Sequence, residues 1–255
     1  MFSSYPPTPN DPSMRSTWSQ IVELACGWAT VALALGKSIR LAAAAPSYTV
    51  VPSMVVAGLA GYFLADLISG VYHWVIDNYG DPSMPVFGPQ ISNFQEHHKW
   101  PLALTWQQVA NRLHKIALVM AFFLFPLILL CRDAALLSLI ASFGFFAIMS
   151  QQTHSWAHCS RSQLHPIIVA LQDAGVILSH AHHRAHHGPR HDNSYCILSG
   201  VWNRILDENR VFKALEMALY VLLGVRPRSW SKPGSEQTED AGKEGEVTSA
   251  HAQIQ

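Results

Sequence analysis

The stretch Ala65-Asp-Leu-Ile-Ser-Gly-Val-Tyr-His-Trp-Val-Ile-Asp-Asn-Tyr-Gly80 decides how the rest of the chain is read. It closes an apolar run from residue 50 to 72 that has the length of a bilayer-crossing helix, and it carries Asp66, His73 and Asp77. Spacings of seven and eleven residues put those three side chains on one helical face. Asp66 is costly against lipid, so it faces a bundle interior or an interface and counts as a functional candidate.

Three further apolar stretches, at 19–36, 113–131 and 134–153, have a similar character. The last two read as a hairpin turning at Cys131-Arg132-Asp133, and Glu23 in the first stretch needs an inward or interfacial place. Composition agrees: 49% of the 255 residues are hydrophobic and 13% charged, too few charges for an ordinary soluble surface. A net charge of zero gives no general attraction to nucleic acid. Cys26, Cys131, Cys159 and Cys196 form no CxxC pair, so they read as reduced thiols rather than a zinc ribbon or a disulfide framework.

Four crossings carry every histidine cluster to one side. The clusters are His73, FQEHHKWP (94–101) with His97 and His98, QQTHSWAH (151–158) with His154 and His158, and SHAHHRAHHGPRHDNSYC (179–196) with His183, His186 and His187. The same side holds Arg15, Lys99, Arg112, Lys115, Arg161 and Arg184, against Lys37, Arg40 and Arg132 opposite. The positive-inside bias therefore faces the site to cytosol or stroma. An HxxxH pair on a helix presents two imidazoles to one metal, and HxxHH offers ligands to two adjacent ions. Eight imidazoles exceed the four ligands of one tetrahedral zinc, so two ions are expected. Ligand type alone leaves zinc, copper, iron and nickel open, and a lipid-side site without a hydrolytic nucleophile favours iron.

The expected architecture is all-α: an integral membrane four-helix bundle, with interfacial helices at 164–179 and 211–223 and a histidine-rich di-metal site at one membrane face. Residues 1–17 and 231–255 are expected to be disordered, flanking a membrane domain at 18–230. Asp66, Asp77, Gln95 and Gln151 are expected to orient histidines from behind rather than bind metal, and His191 is a further candidate for that place. His180 and His182 are read as peripheral, and His114, His165 and His251 as structural or solvent-exposed. Trp74, Trp100, Trp156 and Trp202 are read as headgroup-level anchors or walls of an acyl groove.

These motifs, with SYCILSGVWN (194–203) and ALEMALYVLLGVRPRSW (214–230), resemble the plant fatty acid desaturase 4-type family, the chloroplast palmitate Δ3-trans desaturases, from about Asp11 to Lys232. More distantly they resemble plasmanylethanolamine desaturase, which forms the vinyl-ether bond of plasmalogens. The resemblance implies that His73, His97, His98, His154, His158, His183, His186 and His187 hold two irons. It also implies that the reaction uses O2, that ferredoxin returns two electrons per cycle, and that the substrate is palmitate in phosphatidylglycerol of a chloroplast membrane. His191 matches the plasmalogen branch, whereas the RPRSW tail matches the plant one. Glu96 stands where the plant pattern has glycine, and residues 1–17 are short for a plastid transit peptide. A vinyl-ether-forming desaturase and a non-enzymatic metal-binding membrane protein are the rival readings.

Overall fold

A computed structural model describes residues 6–45 and 47–231. Among these residues ten α-helices follow in chain order: α1 (Trp18–Ala43), α2 (Val50–Asn78), α3 (Gly88–Lys99), α4 (Ala103–Trp106), α5 (Val109–Leu130), α6 (Ala134–His158), α7 (Pro166–Asp173), α8 (His180–His186), α9 (Asn203–Glu208) and α10 (Val211–Leu223). Among the described residues there is no strand. Four helices, α1, α2, α5 and α6, are long and apolar enough to cross a membrane, as expected. Each extends past the apolar stretch that announced it. Hydropathy stops where polar side chains begin, whereas the helical hydrogen bonds continue through polar residues that turn inward.

Local signals set the helix ends. Thr17 and Gln20 form a reciprocal capping box at the start of α1. Asp133 accepts a hydrogen bond from Leu136 N at the start of α6, closing the hairpin at the anticipated turn. At the far end of α5, Lys37 Nζ donates to the carbonyls of Ile128 and Leu129.

The bundle is apolar outside, and inside it aliphatic side chains such as Leu113, Ile128, Leu137 and Ile148 pack beside small and polar residues. Val51, Val55, Val56, Phe122, Phe123 and Leu130 point outward, while α6 packs against each of the other three spans. Without a hydrophobic gain between helices in lipid, close approach must come from small residues and interhelical hydrogen bonds. Ser138 Oγ and Ser142 Oγ on α6 donate to the carbonyls of Met54 and Gly58 on α2, at 2.8 and 2.6 Å. At Gly61 a Cβ would lie 2.6 Å from the Leu139 carbonyl oxygen and 2.9 Å from Phe143 N. Glu23 is satisfied by His114 Nδ1 at 2.7 Å, which gives His114 the structural role expected of it. All four cysteines are free thiols.

Three expectations change. Residues 1–5 and 232–255 lie outside the described residues, but Asp11–Thr17 is built into the fold. Gln108 N donates to Met14 O, Ser16 N donates to Gln108 Oε1, and Asn111 Nδ2 donates to Ser13 O. The stretch at 164–179 is not one helix, because α7 ends at Asp173 and Gly175, at φ +68°, turns the chain. Trp74 and Trp202 are not free anchors: Trp74 is buried and donates to Glu216, and Trp202 Nε1 donates to Phe63 O.

Gly61→Leu is expected to force α2 and α6 apart, at a cost of about 1–3 kcal/mol. Thermal unfolding in detergent, compared with Gly36→Leu where nothing lies within 4 Å of the added Cβ, measures it.

Candidate metal centre

Four helices deliver the eight expected histidines at or next to their carboxyl ends. His73 lies in the last turns of α2, His97 and His98 in the last turn of α3, His154 and His158 at the end of α6, and His183 and His186 in α8, with His187 just after it. The rings meet in two adjoining groups. His97, His154, His158, His183 and His187 form one, and His73, Asp77, His98 and His186 form the other; within each group the ligand atoms lie within 4.8 Å of one another.

The first group is an all-imidazole cage. Nε2 of His154 lies 2.8 Å from Nε2 of His183, and Nε2 of His158 lies 3.0–3.2 Å from those of His97, His154 and His183. The second group is mixed, and here the structure corrects the sequence reading. Asp77 is not behind a histidine: its Oδ2 lies 3.2, 3.4 and 3.3 Å from Nε2 of His73, His98 and His186. From the sequence, a helical face seven to eleven residues long could not say which carboxylate reached the ligands.

Tautomers can be assigned from the outer hydrogen bonds. His73 Nδ1 donates to the Tyr195 carbonyl at 2.9 Å and His186 Nδ1 to the Asn193 carbonyl at 2.8 Å, leaving each Nε2 lone pair facing inward. Burial pushes His97, His98, His183, His186 and His187 below the ordinary imidazole value, so they stand neutral near pH 7. Inward lone pairs then face a carboxylate whose two buried oxygens, like His73 Nε2, lack a hydrogen-bonding partner. The close Asp77 approaches are proximity without hydrogen-bond alignment. A cation held among His73, Asp77, His98 and His186 would meet His73 Nε2 and the Asp77 oxygens, which no hydrogen bond among the described residues pairs. The donor set of each group thus fits a metal ion.

The residues expected to orient histidines take other roles. Asp66, fully buried, accepts from the backbone N–H groups of Ser199, Gly200 and Trp202 at 2.8, 3.0 and 3.4 Å. It thereby pays the polar cost of the non-helical segment Tyr195–Trp202, which threads between α2 and α6. Gln95, with its amide oxygen turned to the guanidinium, accepts from Arg228 rather than from a ring. Among the described residues no hydrogen bond joins Gln151 to a histidine, whereas its neighbour Gln152 accepts from Arg112. His191 stacks on His98 with centroids 4.1 Å apart but belongs to neither group. His180 Nδ1 donates to the Ala157 carbonyl. Tyr195, Glu216 and Arg228 around the mixed group were not singled out from the sequence; an isolated acid or arginine in a tail carries no periodic signal.

The linkage has a definite sign. A buried histidine held below 6.5 stays neutral in the folded state, while its unfolded counterpart takes up a proton as pH falls through about 6.5. The unfolded state then binds more protons, so stability of the metal-free chain declines below about pH 6.5. Melting curves of chelator-treated protein between pH 8 and 5 check this, and a flat profile contradicts it. Separately, Asp77→Ala is expected to lower bound metal while leaving the four spans inserted, since it removes one ligand and no apolar surface.

The comparisons with known proteins agree with this arrangement. Residues 62–230 match the lipid desaturase domain family. The chain is 48% identical to "Fatty acid desaturase 4, chloroplastic" of Arabidopsis thaliana, over 88% of this chain and 68% of that protein. It is 46% identical to "Fatty acid desaturase 4-like 2, chloroplastic" of the same plant, over 91% and 82%. It is 29% identical to "Plasmanylethanolamine desaturase 1" of Mus musculus, over 70% and 69%. No solved structure matches the chain. Four membrane-length helices, clustered histidines and a family match across the whole site lead to one assignment: the chain belongs to the lipid desaturase family, and so to the oxidoreductases.

Proposed function

We propose that this protein is a di-iron desaturase that uses O2 to introduce a double bond into a phospholipid acyl chain, the Δ3-trans bond of palmitate in phosphatidylglycerol. It does so in a chloroplast membrane with ferredoxin as electron donor. The observation that carries the reading is the pair of adjoining ligand groups at the ends of membrane-length helices. An unactivated C–H bond resists acid, base and nucleophile, and bound iron with O2 supplies the oxidant that such a bond requires.

The chain's own residues do the rest. Burial keeps His97, His98, His183 and His187 unprotonated and available as ligands. Tyr195 and Asn193 carbonyls fix the rings of His73 and His186. The carboxyl ends of α2, α3, α6 and α8 direct their negative dipole ends at the cationic centre. A phospholipid whose headgroup stays at the interface then presents carbons near its carboxyl end to a centre at helix-end depth, because positioning decides which carbon reacts. The two relatives, both named as chloroplastic fatty acid desaturases, support the plastid location and a fatty acyl substrate.

A second reading, a vinyl-ether-forming desaturase, is favoured by the mouse relative and by His191 against His98. Expression in a plastid background lacking trans-unsaturated phosphatidylglycerol, followed by lipid profiling, separates the two. Restored lipid with the trans bond beside the carboxyl end is the expected result; a vinyl ether supports the second reading. His158→Ala and His186→Ala, one from each ligand group, are each expected to abolish product with membrane insertion intact, and appreciable product in either removes that residue from the ligand set.

A further inference from the structure

The tail motif RPRSW (226–230) has no role in the chemistry described so far, yet it ends at the metal centre. Arg228 Nη1 donates to the carbonyls of Ile76, Asp77 and Tyr79 at 3.4, 2.9 and 3.2 Å, and Nη2 donates to the carbonyl of Gly80. The Gln95 side-chain oxygen accepts from Nε and Nη2, both at 3.1 Å. Ser229 N donates to Asn78 Oδ1 at 3.0 Å. Ser229 Oγ and Trp230 Nε1 donate to Glu216, a carboxylate only 3% exposed, which also accepts from Trp74 Nε1. Three consecutive residues therefore clasp the last turn of α2, directly or through Glu216.

The geometry is that of a helix cap supplied from a distance. The final carbonyls of a helix have no partner within it, and they carry its negative dipole end. One planar fork of five N–H donors reaches several of them at once, which a lysine ammonium cannot reproduce. Through Gln95 the same guanidinium holds α3, where His97 and His98 follow within three residues.

The clasp is also selective. Helix α2, which the clasp holds directly, supplies His73 and Asp77 to the mixed group and nothing to the all-imidazole group; α6 supplies only His154 and His158 to the latter, and α3, reached only through Gln95, supplies one histidine to each. Among the described residues no hydrogen bond joins Arg228, Ser229 or Trp230 to α6. We infer that Arg228 is a positioning residue for the mixed ligand group, holding the end of α2 where His73 and Asp77 meet His98 and His186. The inference rests on the two-ion reading above.

The test uses the full chain in detergent, loaded with ferrous iron alone for elemental analysis, and with cobalt(II) alone for its visible spectrum, which reports ligand set and geometry. The wild type is expected to hold about two ions per chain, and Arg228→Ala about half that, with the cobalt spectrum of the all-imidazole group kept. Arg228→Lys, which keeps the charge and loses the fork, falls between them. A folded Arg228→Ala with wild-type metal content and spectrum overturns the inference, as does equal loss from both groups. Should Arg228→Ala fail to accumulate, Arg228→Lys decides: a partial loss of the second ion with the all-imidazole cobalt spectrum kept supports the inference, and unchanged content overturns it. A wild type holding one ion overturns the two-ion reading, and with it the inference.

Discussion

Everything in this fold is arranged around a set of acceptors that repel one another until a cation joins them. Asp77 Oδ2 faces three imidazole Nε2 atoms, and in the neighbouring cage five imidazoles converge with at most one proton between any two nitrogens. Burying such groups is expensive unless they are paired. Rings fixed from outside by carbonyls of Tyr195 and Asn193 cannot rotate their lone pairs away. The arrangement is preorganised for metal.

Helix polarity makes the same demand at longer range. Helices α2, α3, α6 and α8 end at the centre, so their unpaired carbonyls and partial negative charges gather there. Metal bound by the two ligand groups would answer part of that field. Arg228 answers another part at the end of α2, where it occupies carbonyls that the helix itself leaves unpaired. Lys37 does the equivalent for α5 at the opposite end of the bundle.

Bringing α8 under α6 requires non-helical backbone between the spans, and Asp66 is what makes that tolerable. Its carboxylate collects three backbone N–H groups of the Ser199–Trp202 turn, while Ser69 and Thr153 take up Ile197 N and O. The same segment holds Tyr195, whose carbonyl orients His73. A carboxylate that looks from its spacing like a partner of His73 thus acts on it only through the loop that it anchors.

The sequence by itself determined four membrane-length helices and the histidine clusters that the structure brings together in two adjoining groups. Those properties are local: apolar length, helical period and the short spacings HH, HxxxH and HxxHH survive in one dimension. Its match to the lipid desaturase family spans residues 62–230, which contain these motifs. Tertiary structure alone decided how the ligands divide into five imidazoles and a group of three with Asp77, because adjacent residues such as His97 and His98, or His186 and His187, point to different groups. It also decided that Asp66 serves a turn more than a hundred residues away, that residues 11–17 pack on α5, and that Arg228 closes α2. Each of these is a pairing between distant segments whose partner is fixed by where the helices end, and no spacing along the chain records that.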